Sequence, residues 1–450
     1  MTVWLKNPLA IHTGTSDDTG GGLVIDPEAG TVVELVPTGG SPSSAPGTVV
    51  DAGSHVVVPG LVNTHHHFYQ TLTRAWAPVA DVPLFPWLVN LYPVWARLHP
   101  RALELATTVA MAELLRSGCT TAADHHYIFP GGLEDAVDIQ VGVTRRLGMR
   151  ATLTRGSMTL GKEDGGLPPQ SVVEDPDTIL ADSQRLIDTH HERGDGAQVQ
   201  IALAPCSPFS VTTSIMRDSA ELAERNDVRL HTHLAETDDE QDFCLERFGM
   251  RTVDYLESVG WLTDRTWLAH GIHFDDDEIA RLGGAGTAVA HCPSSNMRLA
   301  SGVCRGVELE DAGVPLGVGV DGSASNDGSN MITEVRQAMY LQRLQYGAEK
   351  VTVRRAIDWA TQGSARALGR TDIGVLAPGK QADLAMFRQD DLQFSGSHDP
   401  LSALLLCGTE RADRVMVGGQ WRVEDGQVLG LDVAELVAEH SAVAKKLVAG

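Results

Sequence analysis

Short apolar runs alternate with longer helical stretches between about residue 56 and residue 322. The runs are HVVVPGLVNTHHH, GCTTAADHHY, MRATLTRGS, VQIALAPCS, VRLHTHLAE, TWLAHG, TAVAHCPSS and PLGVGVDGSASND, and each closes on polar residues. Connectors such as RALELATTVAMAELLRSG carry apolar residues at helical spacing and stop on glycine, so the order is strand, helix, strand, helix throughout. Eight such units predict an α/β fold, a TIM-like (β/α)8 barrel. Barrels of this kind put their chemistry at the carboxyl ends of the strands, where the His, Glu and Asp residues of this chain collect. An open doubly wound sheet is the competing fold, but no G-x-G-x-x-G follows the first strand.

The flanks carry a different pattern. GTVVELV, ADLAMF and DRVMVGGQWRVEDG alternate and are broken by glycine, which suits short strands. They predict a small β-sandwich domain built from both chain ends, residues 1–59 and 371–430, around a metal-dependent barrel over 60–370. Residues 431–450 read as a C-terminal helix. Composition is that of a globular protein, 42% hydrophobic and 21% charged. A formal charge of −24 repels phosphate backbones and anionic membranes, so neither nucleic acid nor membrane is an expected partner. The opening MTVWLKNPLAIHTG has no apolar targeting core, and the expected location is the cytoplasm. Six cysteines without a C-x-x-C pair read as reduced, mostly packed thiols.

Three consecutive histidines carry the first candidate chemistry. Side chains on a strand alternate, so His65 and His67 share a face while His66 points away. An H-x-H at a strand end is half of a metal site. His233 and Glu236 in HTHLAE, His270 in LAHG and Asp321 in GVDGS bring further groups to other strand ends. Three imidazoles and a carboxylate suit zinc or iron with one position left for water. Such an ion lowers the pKa of water to about 7. Asp321 can take the proton, while His270 holds the water.

Other residues have weaker claims. Gln70, Trp95, Tyr127 and Cys206 follow strand ends or lie in an aromatic-rich stretch, where an amide can pair with a ring edge and aromatics can stack on it. Trp95 reads equally well as part of an amphipathic core segment. His125, His126 and His273 read as hydrogen-bonded residues behind the site, and His190 and His191 as a helix end. The acidic runs ETDDEQD and FDDDE favour helix starts rather than calcium.

The pattern of H-x-H after the first strand, H-x-x-E after the fifth, H after the sixth and D after the eighth resembles the amidohydrolase superfamily. The likeness covers nearly the whole chain, including GVLAPGKQADLAMF, where such enzymes return to their small β domain. GLVNTHHHFYQTLTRAW, LFPWLVNLYPVWARL and HCPSSNMRLASG resemble its aromatic deaminase branch, the 8-oxoguanine deaminases first, then triazine hydrolases and isoxanthopterin deaminases. The resemblance implies His65, His67, His233 and Asp321 as ligands of one divalent ion, zinc or iron, with His270 beside the water. It also implies that Glu236 protonates a ring nitrogen, with support of His233 as its alternative role. Two-metal members use a carboxylated lysine on the fourth strand, and VQIALAPCS has none. The implied reaction is hydrolytic removal of ammonia from a small heteroaromatic substrate, 8-oxoguanine ahead of a pterin, another purine or pyrimidine, or a triazine. Homo-oligomer formation stays open.

Overall fold

A computed structural model describes residues 1–450. Eight parallel strands close into a barrel in chain order. They are Leu61–Asn63, Cys119–Asp124, Arg150–Ser157, Val199–Pro205, Arg229–Leu234, Thr266–His270, Ala288–His291 and Leu316–Val318. The ring closes where Val318 pairs with Asn63. Helices wrap the outside and hide one apolar face each. Pro100–Arg116 shows how the sequence sets one: Pro100 needs no N–H in the first turn, and the preceding His99 side chain accepts from the Ala102 N–H. Its buried Leu103, Ala106, Ala110 and Leu114 then join the barrel strands in one continuous apolar core.

The first predicted run is in fact two strands. His55–Pro59 belongs to a six-stranded sheet with Leu384–Arg388, whereas Leu61–Asn63 belongs to the barrel. The break falls at Gly60, where any Cβ would meet the Thr120 hydroxyl at 2.2 Å. A four-stranded sheet from the N-terminal segment completes the small domain. Leu5, Leu23, Ile25, Val57, Met386 and Met416 pack together as its core. Arg150, on the third barrel strand, joins the two parts through a buried ion pair to Asp383 at 2.7 Å. The C-terminal helix Val433–Ala449 packs on Pro100–Arg116, with Arg101 paired to Glu439. No helix is long and apolar enough to cross a membrane.

Candidate active site

The histidine run lies just past the first barrel strand, in extended backbone rather than on the strand itself. It is held between two neighbouring strand ends. The Asp321 N–H donates to the His65 carbonyl at 3.0 Å, and the His125 N–H to the His66 carbonyl at 2.7 Å. Alternation survives without the strand: the His66 ring meets the Ser329 hydroxyl at 2.9 Å, away from the rings of His65 and His67.

Hydrogen bonds behind the rings fix their tautomers. His67 Nδ1 lies 2.7 Å from the His125 carbonyl, and His233 Nδ1 lies 2.6 Å from the Cys206 carbonyl. A carbonyl only accepts, so both Nδ1 atoms carry hydrogen and both Nε2 atoms face inward as lone pairs. His65 reaches the same state through a relay. His231 Nδ1 donates to the Trp267 carbonyl at 2.7 Å, so its Nε2 must accept from His65 Nδ1, 2.8 Å away. His65 Nε2 is then a buried lone pair with no hydrogen-bond partner. Burial lowers the pKa of His65, His67 and His233 and keeps all three neutral.

These lone pairs converge. His67 Nε2 is 3.2 Å from His233 Nε2, and Asp321 Oδ1 is 3.4 Å from the Nε2 of both His65 and His67. With Nδ1 protonated, the two facing nitrogens cannot bond to each other, and without a cation between them the contact is repulsive. The donor set therefore fits a divalent metal of borderline softness. His125 stacks on His233 with ring centroids 4.7 Å apart. Its Nε2 donates to the Ala204 carbonyl at 3.0 Å, which makes it a support of the cluster as the sequence suggested.

The proton-handling groups sit beside this centre. His270 Nε2 lies 3.5 Å from Glu236 Oε2 and 4.0 Å from Asp321 Oδ2. Its Nδ1 donates to Asn296 Oδ1 at 2.9 Å, which fixes the ring. Burial opposes charge on His270, but Glu236 and Asp321 raise its pKa above the ordinary imidazole value. Burial, with help from Asp321, pushes the Glu236 carboxyl up to about 7, against the pull of His270. The Glu236 backbone N–H donates to Glu240, which burial pushes up to about 8. His270 and Asp321 also adopt left-handed backbone, at φ 72° and 63°. That conformation costs a non-glycine residue about 1–3 kcal/mol and is tolerated where the side chain must be aimed.

A cleft with about 410 Å³ between its walls opens onto these groups. Gln70, Tyr127 and Cys206 line it, as the sequence suggested. Gln70 fits only because Gly322 has no side chain; a Cβ there would meet its amide oxygen at 1.9 Å. Trp95 is a correction. It is fully buried among Tyr69, Trp87 and Tyr92, and its N–H donates to the Thr73 hydroxyl at 3.2 Å. Trp87 lines the cleft instead, from the same helix Leu84–Trp95. Trp95 lies on the same helix face as Leu84 and Leu88 but at the last residue of the helix, so its place along the axis takes it out of the lining, a distinction that aromatic composition cannot make. His231 and Asn296 were missed as well. His231 had a signal, since HTH repeats the two-residue spacing of the first H-x-H.

Parallel barrel and mouth together define a metal-dependent hydrolase. The amidohydrolase family model matches residues 56–422, and the chain belongs to that family. It is 71% identical over 447 residues to 8-oxoguanine deaminase of Pseudomonas aeruginosa, covering 99% of each chain. It is 35% identical over 467 residues to isoxanthopterin deaminase of an unknown prokaryotic organism, covering 98% of this chain and 96% of the relative. Atrazine chlorohydrolase from Arthrobacter aurescens TC1, solved with zinc, superposes with a TM-score of 0.91 at 32% identity, covering 98% and 99% of the two chains.

Proposed function

We propose that this enzyme hydrolyses 8-oxoguanine to urate and ammonia, using one divalent ion per chain, zinc or else iron. The observation that carries the substrate is the 71% identity, over 99% of both chains, to a protein known as 8-oxoguanine deaminase. The reaction type rests on the inward lone pairs of His65, His67 and His233 and on Asp321, which would hold the ion. A bound divalent cation lowers the pKa of water and so supplies hydroxide at neutral pH. The absence of lysine from Val199–Pro205, where two-metal relatives bridge their ions, supports a single one.

The chain's own groups handle the protons. Glu236, raised by burial to about 7 and so able to carry a proton near neutral pH, donates to a ring nitrogen and makes the amino-bearing carbon electrophilic. Asp321 accepts a proton from the attacking water and passes it to the departing amine. His270, fixed by Asn296, stabilises the charge that develops between them. Gln70 pairs with the amide edge of the ring, and Tyr127 and Cys206 bound it. As the carbonyl forms on the oxygen that water supplied, the second water proton returns to Glu236 and ammonia leaves. Six free thiols, five of them buried, fit action in the reducing cytoplasm.

A panel of 8-oxoguanine, guanine, isoxanthopterin and a triazine, followed by ammonia release and ultraviolet change, tests the substrate. A site that pairs with the oxo edge rejects rings lacking it, so guanine should be at least ~10²-fold poorer. Equal rates on guanine and 8-oxoguanine overturn this substrate, and a clear preference for isoxanthopterin replaces it.

A further inference from the structure

The helix Leu84–Trp95 forms one wall of the cleft, and Leu84, Trp87, Leu88 and Tyr92 are its lining residues. Two of these are purely apolar. Trp87 has one polar atom, and that N–H donates to the Ala324 carbonyl at 3.1 Å. Tyr92 differs. Its side chain is 1% exposed, and its hydroxyl is buried without a hydrogen-bond partner. The groups that face it are the Cys206 thiol, a weak partner at best, together with Glu236 and Tyr69.

Buried hydroxyls in folded proteins are nearly always satisfied, and one left open in the wall of a binding cleft needs a reason. Phenylalanine would fill the same space without an unmet polar atom. A ligand atom is the missing partner. Burial, with Cys206 next, raises the Tyr92 phenol well above its ordinary pKa, so it keeps its proton and acts as a donor. It can therefore offer its proton to an acceptor, and the strongest acceptor on the edge of a planar heterocycle is an oxo oxygen.

We propose that Tyr92 is a specificity-determining residue whose hydroxyl donates to an oxo oxygen of the bound ring. The assignment rests on the deaminase reading above. Gln70 and Tyr92 divide the polar work: Gln70 offers an amide, and Tyr92 a single donor from an otherwise apolar wall. Trp87 and Phe209 contribute flat hydrophobic surface around them.

The test is Tyr92→Phe, with Tyr255→Phe as its control. Tyr255 also has a buried hydroxyl without a partner, but it lies on the helix Thr252–Ser258 outside the cleft lining, so its loss measures a purely structural effect. Metal content, melting temperature and kcat/KM on 8-oxoguanine and guanine are read for both variants. Tyr92→Phe should keep its metal and melting temperature while kcat/KM on 8-oxoguanine falls ~10- to 100-fold, as expected for one lost substrate hydrogen bond. A smaller loss on guanine places the bond on the oxygen that only 8-oxoguanine has. An equal loss on both places it on the oxygen they share. A change no larger than that of Tyr255→Phe, or lost metal, overturns the proposal. If the wild type ignores 8-oxoguanine but converts isoxanthopterin, the substrate falls, and Tyr92 is judged by the same tenfold criterion on that ring.

Discussion

Two places in this molecule bury histidine against aspartate, and they are built on opposite plans. In the small domain, His55 Nε2 meets Asp413 Oδ2 at 2.8 Å, its Nδ1 meets the Ser54 hydroxyl at 3.3 Å, and Arg388 adds a second contact to Asp413 at 3.1 Å. Each polar atom has an answer from the chain. At the barrel mouth, carbonyls and His231 use up the outer nitrogens of His67, His233 and His65, and the inner nitrogens crowd together unanswered. The first plan spends polarity on structure. The second holds unsatisfied groups in place with satisfied ones, which is how a fold prepares a site for something it does not contain.

Removing the cation should break the contrast most completely. A strong chelator should abolish turnover, zinc or ferrous iron should restore it, and elemental analysis of the active enzyme should approach one ion per chain. Two tightly bound ions per active chain would contradict the single-ion reading. The same treatment should leave the paired residues of the small domain untouched, visible as an unchanged environment for Trp421 beside that core.

Next in size is the division of labour within the mouth. Glu236→Gln keeps volume and polarity but removes the acid, so turnover should drop at least ~10²-fold with metal retained. Metal loss in that variant would make Glu236 a ligand or the support of one. His66→Asn separates neighbours in sequence: its ring bonds to Ser329, so the variant should keep its ion and cost only about 1–2 kcal/mol of stability. Loss of the ion there would mean that the wrong pair of histidines was chosen.

How much of this was legible in the sequence differs between the two regions for the same reason. Groups able to hold a metal must be particular residue types, so His65, His67, His233 and Asp321, with His270 beside them, stand out as candidates at strand ends, while the division of roles among them came from the family resemblance. The barrel followed from short apolar runs alternating with stretches of helical period. Trp95 against Trp87 was not legible, because both lie on the helix face that carries the cleft lining, and where the cleft ends along that face depends on how the helix packs. His231 was signalled by the HTH spacing and passed over, whereas Asn296 was hidden, since its bond to His270 leaves no mark in the local pattern. The split at Gly60 coincides with the boundary expected between residues 1–59 and 60–370, but the apolar VVVP and LV on either side of it read as one strand.

The junction between the parts gives a third and structural prediction. Arg150 and Asp383 are both nearly fully buried, and Arg150 also donates to the Ala197 carbonyl at 3.2 Å and to Gln381 at 2.8 Å. Asp383→Asn leaves that guanidinium with no full countercharge, which should cost about 3–5 kcal/mol in a denaturation experiment. Activity per folded molecule should stay within a factor of two, since the pair does not touch the cleft. A selective loss of activity without loss of stability would mean that the small domain helps to shape the mouth.

The smallest expected effect tests the paired plan itself, by pH. Burial works against charge on Asp413, yet hydrogen bonds from His55 and Arg388 hold its carboxyl below the ordinary value of 3.8. A carboxyl depressed in the folded state binds its proton more readily when the chain is unfolded. Its stabilisation is therefore present above the unfolded value and disappears as pH falls through the folded one. Asp413→Asn should accordingly be less stable than wild type near pH ~7, and the gap should narrow as pH drops below about 4. Urea midpoints of the two proteins across that range measure it. A gap that stays constant down to the acid limb would show that the pair contributes through shape and hydrogen bonding rather than charge.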